Sequence, residues 1–113
     1  MNRGIAQAMS GLHDEAISSY DKAIAIDPCD IKVWYNRGVT LKTIGRYSEA
    51  VDSCDKAIAM DPNEPDAWYI RGNALGKLGR HAEAVISYNK ALAIKPNHAY
   101  AKKDRDWEIL YLK

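Results

Sequence analysis

The sequence contains no phenylalanine, only two cysteines and three histidines, and no long run of apolar residues or of a single charge. Without about 18 consecutive apolar residues, no segment is expected to span a bilayer. Sixteen basic and fifteen acidic residues are interspersed along the chain and give a formal net charge of +1. The electrostatic footprint of a nucleic-acid-binding protein is therefore missing.

The scarcity of reactive side chains also argues against catalysis. His13, His81 and His98 have no histidine, cysteine or carboxylate at metal-ligand spacing. The glycines are dispersed and do not form a phosphate-binding loop. The serines lack a positioned base that would make one of them a nucleophile. We therefore expect no metal, no cofactor and no enzymatic activity.

The two cysteines occupy different places in the chain, and we expect no disulfide between them. Cys29 is predicted to be a free thiol in a loop, and Cys54 a small core residue. The first residues, Met1 to Gly4, lack the apolar stretch of a signal peptide. These features favour a cytoplasmic protein or a segment excised from a larger one, and the sequence leaves both open.

The most prominent feature of the sequence is internal repetition. One motif occurs twice, thirty-four residues apart, as Trp34-Tyr35-x-Arg37-Gly38 and Trp68-Tyr69-x-Arg71-Gly72. Residues 31–64 align with residues 65–98 without a gap and share 16 identities at 34 positions. A period this strict predicts a repeat architecture.

Each unit contains two helical patterns. Apolar and small residues at three- and four-residue spacing predict helices at 31–44, 48–61, 65–78, 82–95 and 99–112. Gly45 and Gly79 stand where a left-handed residue would end the first helix of a unit, and Pro62 and Pro96 stand where proline stops the second. In the first unit we expect a first helix without its opening turn and a second helix at 14–27, which makes seven helices in total.

The small residues of the pattern are predicted to lie in the core. Gly38 and Gly72 would let paired helices approach closely, while Trp34 and Trp68 would fill the gap between neighbouring pairs. The series Trp34-x-x-Arg37-Gly38-x-x-Leu41, followed by Ala50 and Pro62, resembles the tetratricopeptide repeat. The departures from the family's pattern are Arg37 and Arg71 in place of leucine, Leu41 and Leu75 in place of tyrosine, and Cys54 at an aromatic place.

The resemblance covers nearly the whole chain and implies its architecture. The implied fold is all-α, a right-handed superhelical solenoid of antiparallel helix pairs with about three repeats and a C-terminal capping helix. Residues 1–113 would then form a single domain. Its parts would be a truncated first repeat at 1–30, a second repeat at 31–64, a third repeat at 65–98 and the capping helix at 99–113.

The resemblance also implies a function, because the first helices of such repeats line a concave groove that commonly binds peptides. Helical spacing predicts groove-facing residues, and ten of them are assigned to the peptide-binding groove: Tyr35, Asn36, Val39, Tyr69, Ile70, Asn73, Lys77, Tyr100, Trp107 and Tyr111. The same spacing places Ile5, Met9, Lys32, Lys42, Thr43, Asp66, Lys103 and Asp104 on this side. On the last helix, the three aromatic residues fall within about 40° of one another. We therefore expect a protein–protein interaction scaffold that binds a peptide segment or a partner helix. Alternatively, these aromatic residues cover the end of the groove or pack against a neighbouring chain.

Two other modes of binding known in helical-repeat proteins can be compared with the residues of this chain. Family members that bind the acidic tails of heat-shock chaperones use a clamp of two lysines, two asparagines and an arginine. The corresponding residues of this chain are Met1, Ile5, Asn36, Asp66 and Ile70. Asn36 alone matches, so we do not expect this mode. RNA recognition of the pentatricopeptide kind also fits poorly, because its period is about one residue longer and it needs a more basic face.

Self-association is the second hypothesis. In the truncated first unit, Tyr20 and Ile24 lack a complete partner helix, and the other end of the array is aromatic. End-to-end contact or exchange of helices between copies would bury both surfaces and give a homo-oligomer. The chain could also be a non-catalytic segment of a larger multi-repeat protein.

Overall fold

The computed structural model describes the backbone of residues 3–112 and the side chains of residues 12–112. Within this range the chain forms six α-helices and one short 3₁₀-helix, without a strand. The helices are α1 (Arg3–Ile26), α2 (Ile31–Thr43), α3 (Tyr47–Met60), α4 (Pro65–Lys77), α5 (His81–Ile94) and α6 (Ala99–Ile109), and the 3₁₀-helix is Leu110–Leu112. None of the described helices is both long enough and apolar enough to cross a membrane. The five helices predicted after residue 30 are confirmed, with shifts of at most three residues at their ends.

The prediction for the first unit is wrong, because α1 is one continuous helix and the described helices number six. Gly11 lies inside α1, whereas Gly45 and Gly79 have positive φ angles of 86° and 80° and follow the ends of α2 and α4. Folding back at a glycine is favourable when the two segments bury apolar side chains against each other. Residues 3–10 contain no counterpart of Trp34. Continuing the helix pairs the backbone groups without a turn.

Tight turns join the paired helices. After the left-handed glycine of each turn, the next residue donates its backbone N–H back into the preceding helix. The Arg46 N–H donates to the Leu41 carbonyl, and the Arg80 N–H to the Leu75 carbonyl, both at 2.9 Å. These bonds satisfy carbonyls that a helix end would leave free. The turns make α2 and α3 one antiparallel pair, and α4 and α5 the next.

The tryptophans hold the loops between units. The indole N–H of Trp34 donates to the Pro28 carbonyl at 2.8 Å, and that of Trp68 donates to the Pro62 carbonyl at 2.9 Å. Both indoles are half-buried. Each tryptophan therefore fixes the loop before its helix in addition to filling space between pairs.

The helices of each pair approach closely at a glycine, as predicted. A methyl group on Gly72 would lie 2.6 Å from the ring of Tyr88, which is 2% exposed. At Gly38 the same methyl group would lie 3.0 Å from the Cys54 sulfur. The buried apolar cluster around these contacts consists of Ile17, Leu41, Ala50, Val51, Ala74, Leu75, Ala84, Tyr88, Ala91 and Ala101.

Both cysteines are free thiols, which confirms the prediction for each. Cys29 is exposed in the loop before α2, and Cys54 is buried on α3. Burial raises the pKa of the Cys54 thiol to about 12. At neutral pH this thiol is therefore an uncharged core group.

The helices α2, α4 and α6 form the inner layer of the stack. Each helix packs on its neighbours in sequence, and in addition α2 contacts α4 and α4 contacts α6. Within residues 3–112, α3 and α5 do not contact each other. The stack is therefore curved, because successive members of the series α2, α4 and α6 contact each other on one side while α3 and α5 are separated on the other. The concave side of this all-α solenoid, which measures 39 × 38 × 22 Å, is therefore lined by α2, α4 and α6.

Bridges formed by half-buried arginines link successive units. Arg71 on α4 donates from Nε to Asp55 Oδ1 on α3 and from Nη1 to Ser87 Oγ on α5, both at 2.7 Å. Equivalent bonds of 2.8 and 2.6 Å connect Arg37 with Asp21 and Ser53. Each arginine therefore joins three consecutive helices. The sequence suggests merely that arginine is tolerated at the leucine place of the family's pattern, whereas the structure gives it a bonding role.

Replacing Gly72 with alanine should destabilise the protein more than replacing Gly38. In both variants the better helix propensity of alanine contributes up to about 1 kcal/mol. At Gly72 the new methyl group overlaps a fixed ring, and such overpacking costs typically about 1–3 kcal/mol. At Gly38 the sulfur needs to move by only a few tenths of an ångström. Urea unfolding followed by circular dichroism measures both free energies, and equal values would contradict the close contact at Tyr88.

Replacing Arg71 with methionine should lower the free energy of unfolding by about 1–3 kcal/mol, because the fully buried Ser87 hydroxyl loses its charged donor. Arg80→Met is the matched control. Arg80 pairs with Glu83 on the exposed first turn of α5, and such surface pairs contribute little. Thermal unfolding of both variants measures the difference. An equal loss in the two would mean that the bridge adds no stability.

Candidate functional site

The ten residues predicted to face the groove lie on the inner layer or at its end. They are Tyr35, Asn36 and Val39 on α2; Tyr69, Ile70, Asn73 and Lys77 on α4; Tyr100 and Trp107 on α6; and Tyr111 in the 3₁₀-helix. Five of them are exposed, namely Asn36, Lys77, Tyr100, Trp107 and Tyr111. Tyr35, Val39, Tyr69 and Asn73 are half-buried.

Ile70 departs from the predicted exposure. Its side chain is only 6% exposed, so it offers almost no surface to a partner. Helical spacing gives the direction of a residue around its own helix and takes no account of the helices packed beside it. Ile70 forms part of the floor of a cleft and is not one of its exposed walls.

The first of three clefts on this side is called here the tyrosine cleft. It has a volume of about 410 Å³ and is lined by Tyr35, Asp66, Tyr69, Ile70, Lys95, Asn97, His98, Ala99 and Tyr100. Tyr69 lies at its centre, with ring centroids 4.8 Å from His98 and 6.4 Å from Tyr100. Three helices of the inner layer therefore contribute to one surface rich in aromatic rings.

Hydrogen bonds fix the tyrosines of this surface. The Tyr69 hydroxyl donates to Asp104 Oδ2 at 2.8 Å, which connects α4 with α6. The Tyr88 hydroxyl donates to Asn73 Oδ1 at 2.7 Å. Burial first, and then the neighbouring Asp104 carboxylate, raise the pKa of Tyr69. Both phenols therefore remain protonated donors at neutral pH.

His98 is a site residue that the sequence did not reveal. It is 8% exposed, and its Nδ1 accepts the Ala101 N–H at 3.1 Å, so the side chain caps the start of α6. Because Nδ1 accepts this bond, Nε2 carries the ring hydrogen. The Nε2 atom lies 3.4 Å from Asp66 Oδ1. In the sequence, this capping role is indicated only by the position of His98 directly before a predicted helix, and histidine is not among the preferred capping residues.

The second cleft, called the tryptophan cleft, lies between α4, α5 and α6. It has a volume of about 290 Å³ and is lined by Asn73, Gly76, Lys77, Tyr88, Asp104, Trp107 and Glu108. Trp107 is 53% exposed at its edge, and Asp104 and Trp107 also line a shallower depression with Lys103, Asp106 and Leu110. The cleft therefore combines an exposed indole with a carboxylate and an amide.

A buried carboxylate holds α6 against α5. Glu108 is 4% exposed, and its Oε2 lies 2.5 Å from His81 Nδ1. A side chain at Gly76 would collide with this carboxylate, so the glycine makes room for it. The sequence distinguishes neither residue for this contact, since His81 has no partner at metal-ligand spacing and Glu108 is one of several acids on α6.

Tyr111 is placed apart from the two clefts. Its ring stacks on His81 with centroids 4.2 Å apart and planes 9° apart, and it meets Trp107 edge-on at 4.7 Å. The predicted grouping with Trp107 is therefore seen, while Tyr100 belongs to the tyrosine cleft. Tyr100 and Trp107 share a direction around α6 but lie two turns apart, about 10 Å along its axis, so they border different clefts.

The third cleft, called the acidic cleft, lies at the starts of α2 and α4. It has a volume of about 220 Å³ and is lined by Ile31, Lys32, Tyr35, Asp61, Glu64 and Asp66. Burial first, and then the nearby Asp66, raise the pKa of Tyr35 to about 12. The Tyr35 ring therefore lies close to a carboxylate. Asn36 and Val39, further along the same helix, line none of the three clefts.

These surfaces offer aromatic faces, hydrogen-bonding groups and carboxylates. Among residues 12–112, no group of three or more histidines, cysteines and carboxylates could hold a metal ion. Every buried side-chain nitrogen or oxygen in that range has a hydrogen-bond partner. Such groups can make aromatic, hydrogen-bonding and ionic contacts with a molecule that covers the clefts.

Known proteins resemble the chain in sequence pattern and in structure. The profile described as Tetratricopeptide repeat matches residues 34–99, and another, described as TPR repeat, matches residues 9–45. No curated protein matches the chain. Many solved structures do match it, and three of them are described next.

The first TPR of Spaghetti (RPAP3), bound to the HSP90 peptide SRMEEVD, is 26% identical with a TM-score of 0.88, covering 97% of this chain and 87% of that one. The second TPR domain of human RPAP3, in complex with the HSP70 peptide SGPTIEEVD, is 28% identical with a TM-score of 0.84, covering 94% and 88%. MamA is 25% identical with a TM-score of 0.88, covering 99% of this chain and 66% of that one.

The match over residues 34–99 spans more than half of the chain, and the helices repeat in the same register. The chain belongs to the tetratricopeptide repeat family.

Proposed function

We propose that this chain is an interaction module that holds a peptide segment of a partner protein along α2, α4 and α6. The observation that carries the proposal is the exposure of Tyr100 and Trp107, 68% and 53%, at the edges of clefts on the concave layer. Aromatic residues of this kind often anchor interfaces. A partner that covers the exposed indole beside a preformed cleft removes apolar surface from water, which is favourable.

The relatives support this role at a coarse level. Two of the similar structures are described as bound to peptides, one from HSP90 and one from HSP70. Their identities of 26% and 28% do not carry a particular ligand to this chain. What they support is a peptide or protein partner in general terms.

The floor of the groove is well suited to a preformed site. The Tyr69 hydroxyl is bonded to Asp104, and the Tyr88 hydroxyl to Asn73, so these side chains already have fixed positions. A rigid surface saves part of the entropy that binding would otherwise cost. We infer that recognition depends on shape, aromatic anchors and hydrogen bonds, without a catalytic step.

The acidic-tail mode remains unexpected for this chain. At the start of α4, where the clamp needs a lysine, the chain has Asp66, whose side chain is 56% exposed. At the place of the clamp arginine stands Ile70, which is buried. Both substitutions remove positive charge from the groove. The preferred partner therefore differs from those tails in its charge.

Self-association is a second candidate, favoured by apolar side chains exposed at both ends of the stack. Leu12 and Ile26 on α1 are 64% and 86% exposed, and Leu110 and Leu112 after α6 are 62% and 50% exposed. Against simple stacking, Asp106 stands at the place where Gly38 and Gly72 make their close contacts. Light scattering over a concentration series tests this candidate, and a constant monomer mass would exclude it.

Replacing Trp107 with alanine should weaken peptide binding by about 30-fold, the effect of losing a central aromatic anchor worth roughly 2 kcal/mol. The probe is a peptide selected by the wild-type protein from a random twelve-residue phage library, and its affinity is measured by fluorescence anisotropy. Far-ultraviolet circular dichroism should remain unchanged, since the indole is half exposed.

Ile86→Ala is the matched control, because Ile86 is 55% exposed but lies on α5, outside the inner layer. It should leave the affinity unchanged. Equal weakening by both substitutions, or a library from which the wild-type protein enriches nothing, would contradict the proposed groove.

A further inference from the structure

Two carboxylates stand among the aromatic rings of the concave layer. Asp104 lies on α6 between Tyr100 and Trp107 in sequence and accepts a hydrogen bond from Tyr69. Asp66 lines both the tyrosine cleft and the acidic cleft. The negative charges therefore occur where a bound segment would meet the exposed aromatic faces.

Asp104 has unused capacity to bind a cation. The Tyr69 hydroxyl occupies Oδ2, and among residues 12–112 no lysine or arginine forms an ion pair with this carboxylate. The residue is half-buried, so its charge is less screened by water than that of a surface acid. A cation placed here would also reach Trp107, which lines the same cleft.

Asp66 provides a second such place. Its side chain is 56% exposed, and the only described basic group near it is His98, whose Nε2 lies 3.4 Å from Asp66 Oδ1. Asp61 and Glu64 line the acidic cleft beside it, next to the ring of Tyr35. Burial is the first cause of the raised pKa of Tyr35, and the nearby Asp66 is the second.

The lysines of this side do not cancel these charges locally. Lys32, Lys77, Lys95 and Lys103 are all exposed, and none of them is ion-paired among the described residues. Their long, flexible side chains can extend into solvent, whereas the aspartate carboxylates lie on short side chains close to the helix backbone. The lysine charges can therefore move away from the aspartates when a basic segment binds.

A carboxylate beside an aromatic face recognises one chemical class of side chain. The flat guanidinium of arginine can stack on a ring while it donates hydrogen bonds to a carboxylate, and the lysine ammonium makes the same two contacts less specifically. We propose that the groove selects a partner segment that carries basic side chains, arginine above all, at Asp104 with Trp107 and at Asp66 with Tyr35. This inference rests on the proposed function and specifies the partner of the same site.

The test uses the full chain and the random twelve-residue phage library. Peptides selected by the wild-type protein should be enriched in arginine and lysine. In a synthetic copy of the best peptide, blocked at both ends, replacing each arginine with the neutral isostere citrulline should weaken binding about tenfold. That figure corresponds to two partly exposed contacts of about 0.7 kcal/mol each.

The double variant Asp66→Asn/Asp104→Asn should bind the arginine and citrulline peptides with nearly equal affinity. The asparagine oxygen can still accept from Tyr69, so the fold should be preserved, and circular dichroism checks this. Asp52→Asn is the control, because Asp52 is an exposed carboxylate on α3, outside the inner layer. It should keep the wild-type preference for arginine.

The two proposals fail in different ways. Selected peptides without basic enrichment, or citrulline and arginine peptides of equal affinity for the wild-type protein, would overturn the basic-segment inference while Trp107→Ala still weakened binding. Enrichment of acidic peptides would overturn it as well. A library that yields no peptide sensitive to Trp107→Ala would overturn the groove itself.

Discussion

The close contact between a glycine on one helix and a bulky side chain on the next sets the dimensions of the whole structure. Gly72 permits the Tyr88 ring to lie against the backbone of α4, and the Tyr88 hydroxyl then reaches Asn73 on the concave side. A larger residue at this place would separate the two helices. Because repeats bury their surfaces only against neighbours, the spacing inside one pair is passed on to the next.

Hydrogen bonds between polar side chains join the helices of this stack, in addition to the apolar packing that the repeat predicts. The bridges of Arg37 and Arg71 each join three helices through a half-buried bond to a serine and an exposed bond to an aspartate, and Glu108 joins α6 to α5 through His81. Charged hydrogen bonds of this kind are directional, so they fix the rotation of one helix relative to another as well as its distance. The curvature that brings α4 beside α6, and with it the shape of the groove, depends on that orientation.

Much of the fold was predictable from residue spacing, while the site was predictable only in part. The thirty-four-residue period located α2 to α6, and the exposed aromatic residues Tyr100 and Trp107 were expected on the inner face. The burial of Ile70, the cap formed by His98 and the buried Glu108 were not. Each depends on a neighbouring helix: spacing describes one helix at a time, and whether a side chain is covered depends on what packs against it.

The sequence alone determined the repeat, the antiparallel helix pairs after residue 30 and the small residues between them. These follow from local rules, since proline ends a helix, a left-handed glycine closes a turn and a periodic apolar face has to be buried. Only the tertiary structure decided that α1 runs through Gly11, and that the Tyr69 hydroxyl on α4 bonds to Asp104 on α6. Such features arise from contacts between residues far apart in the chain, and their free energy depends on burial that no local pattern records.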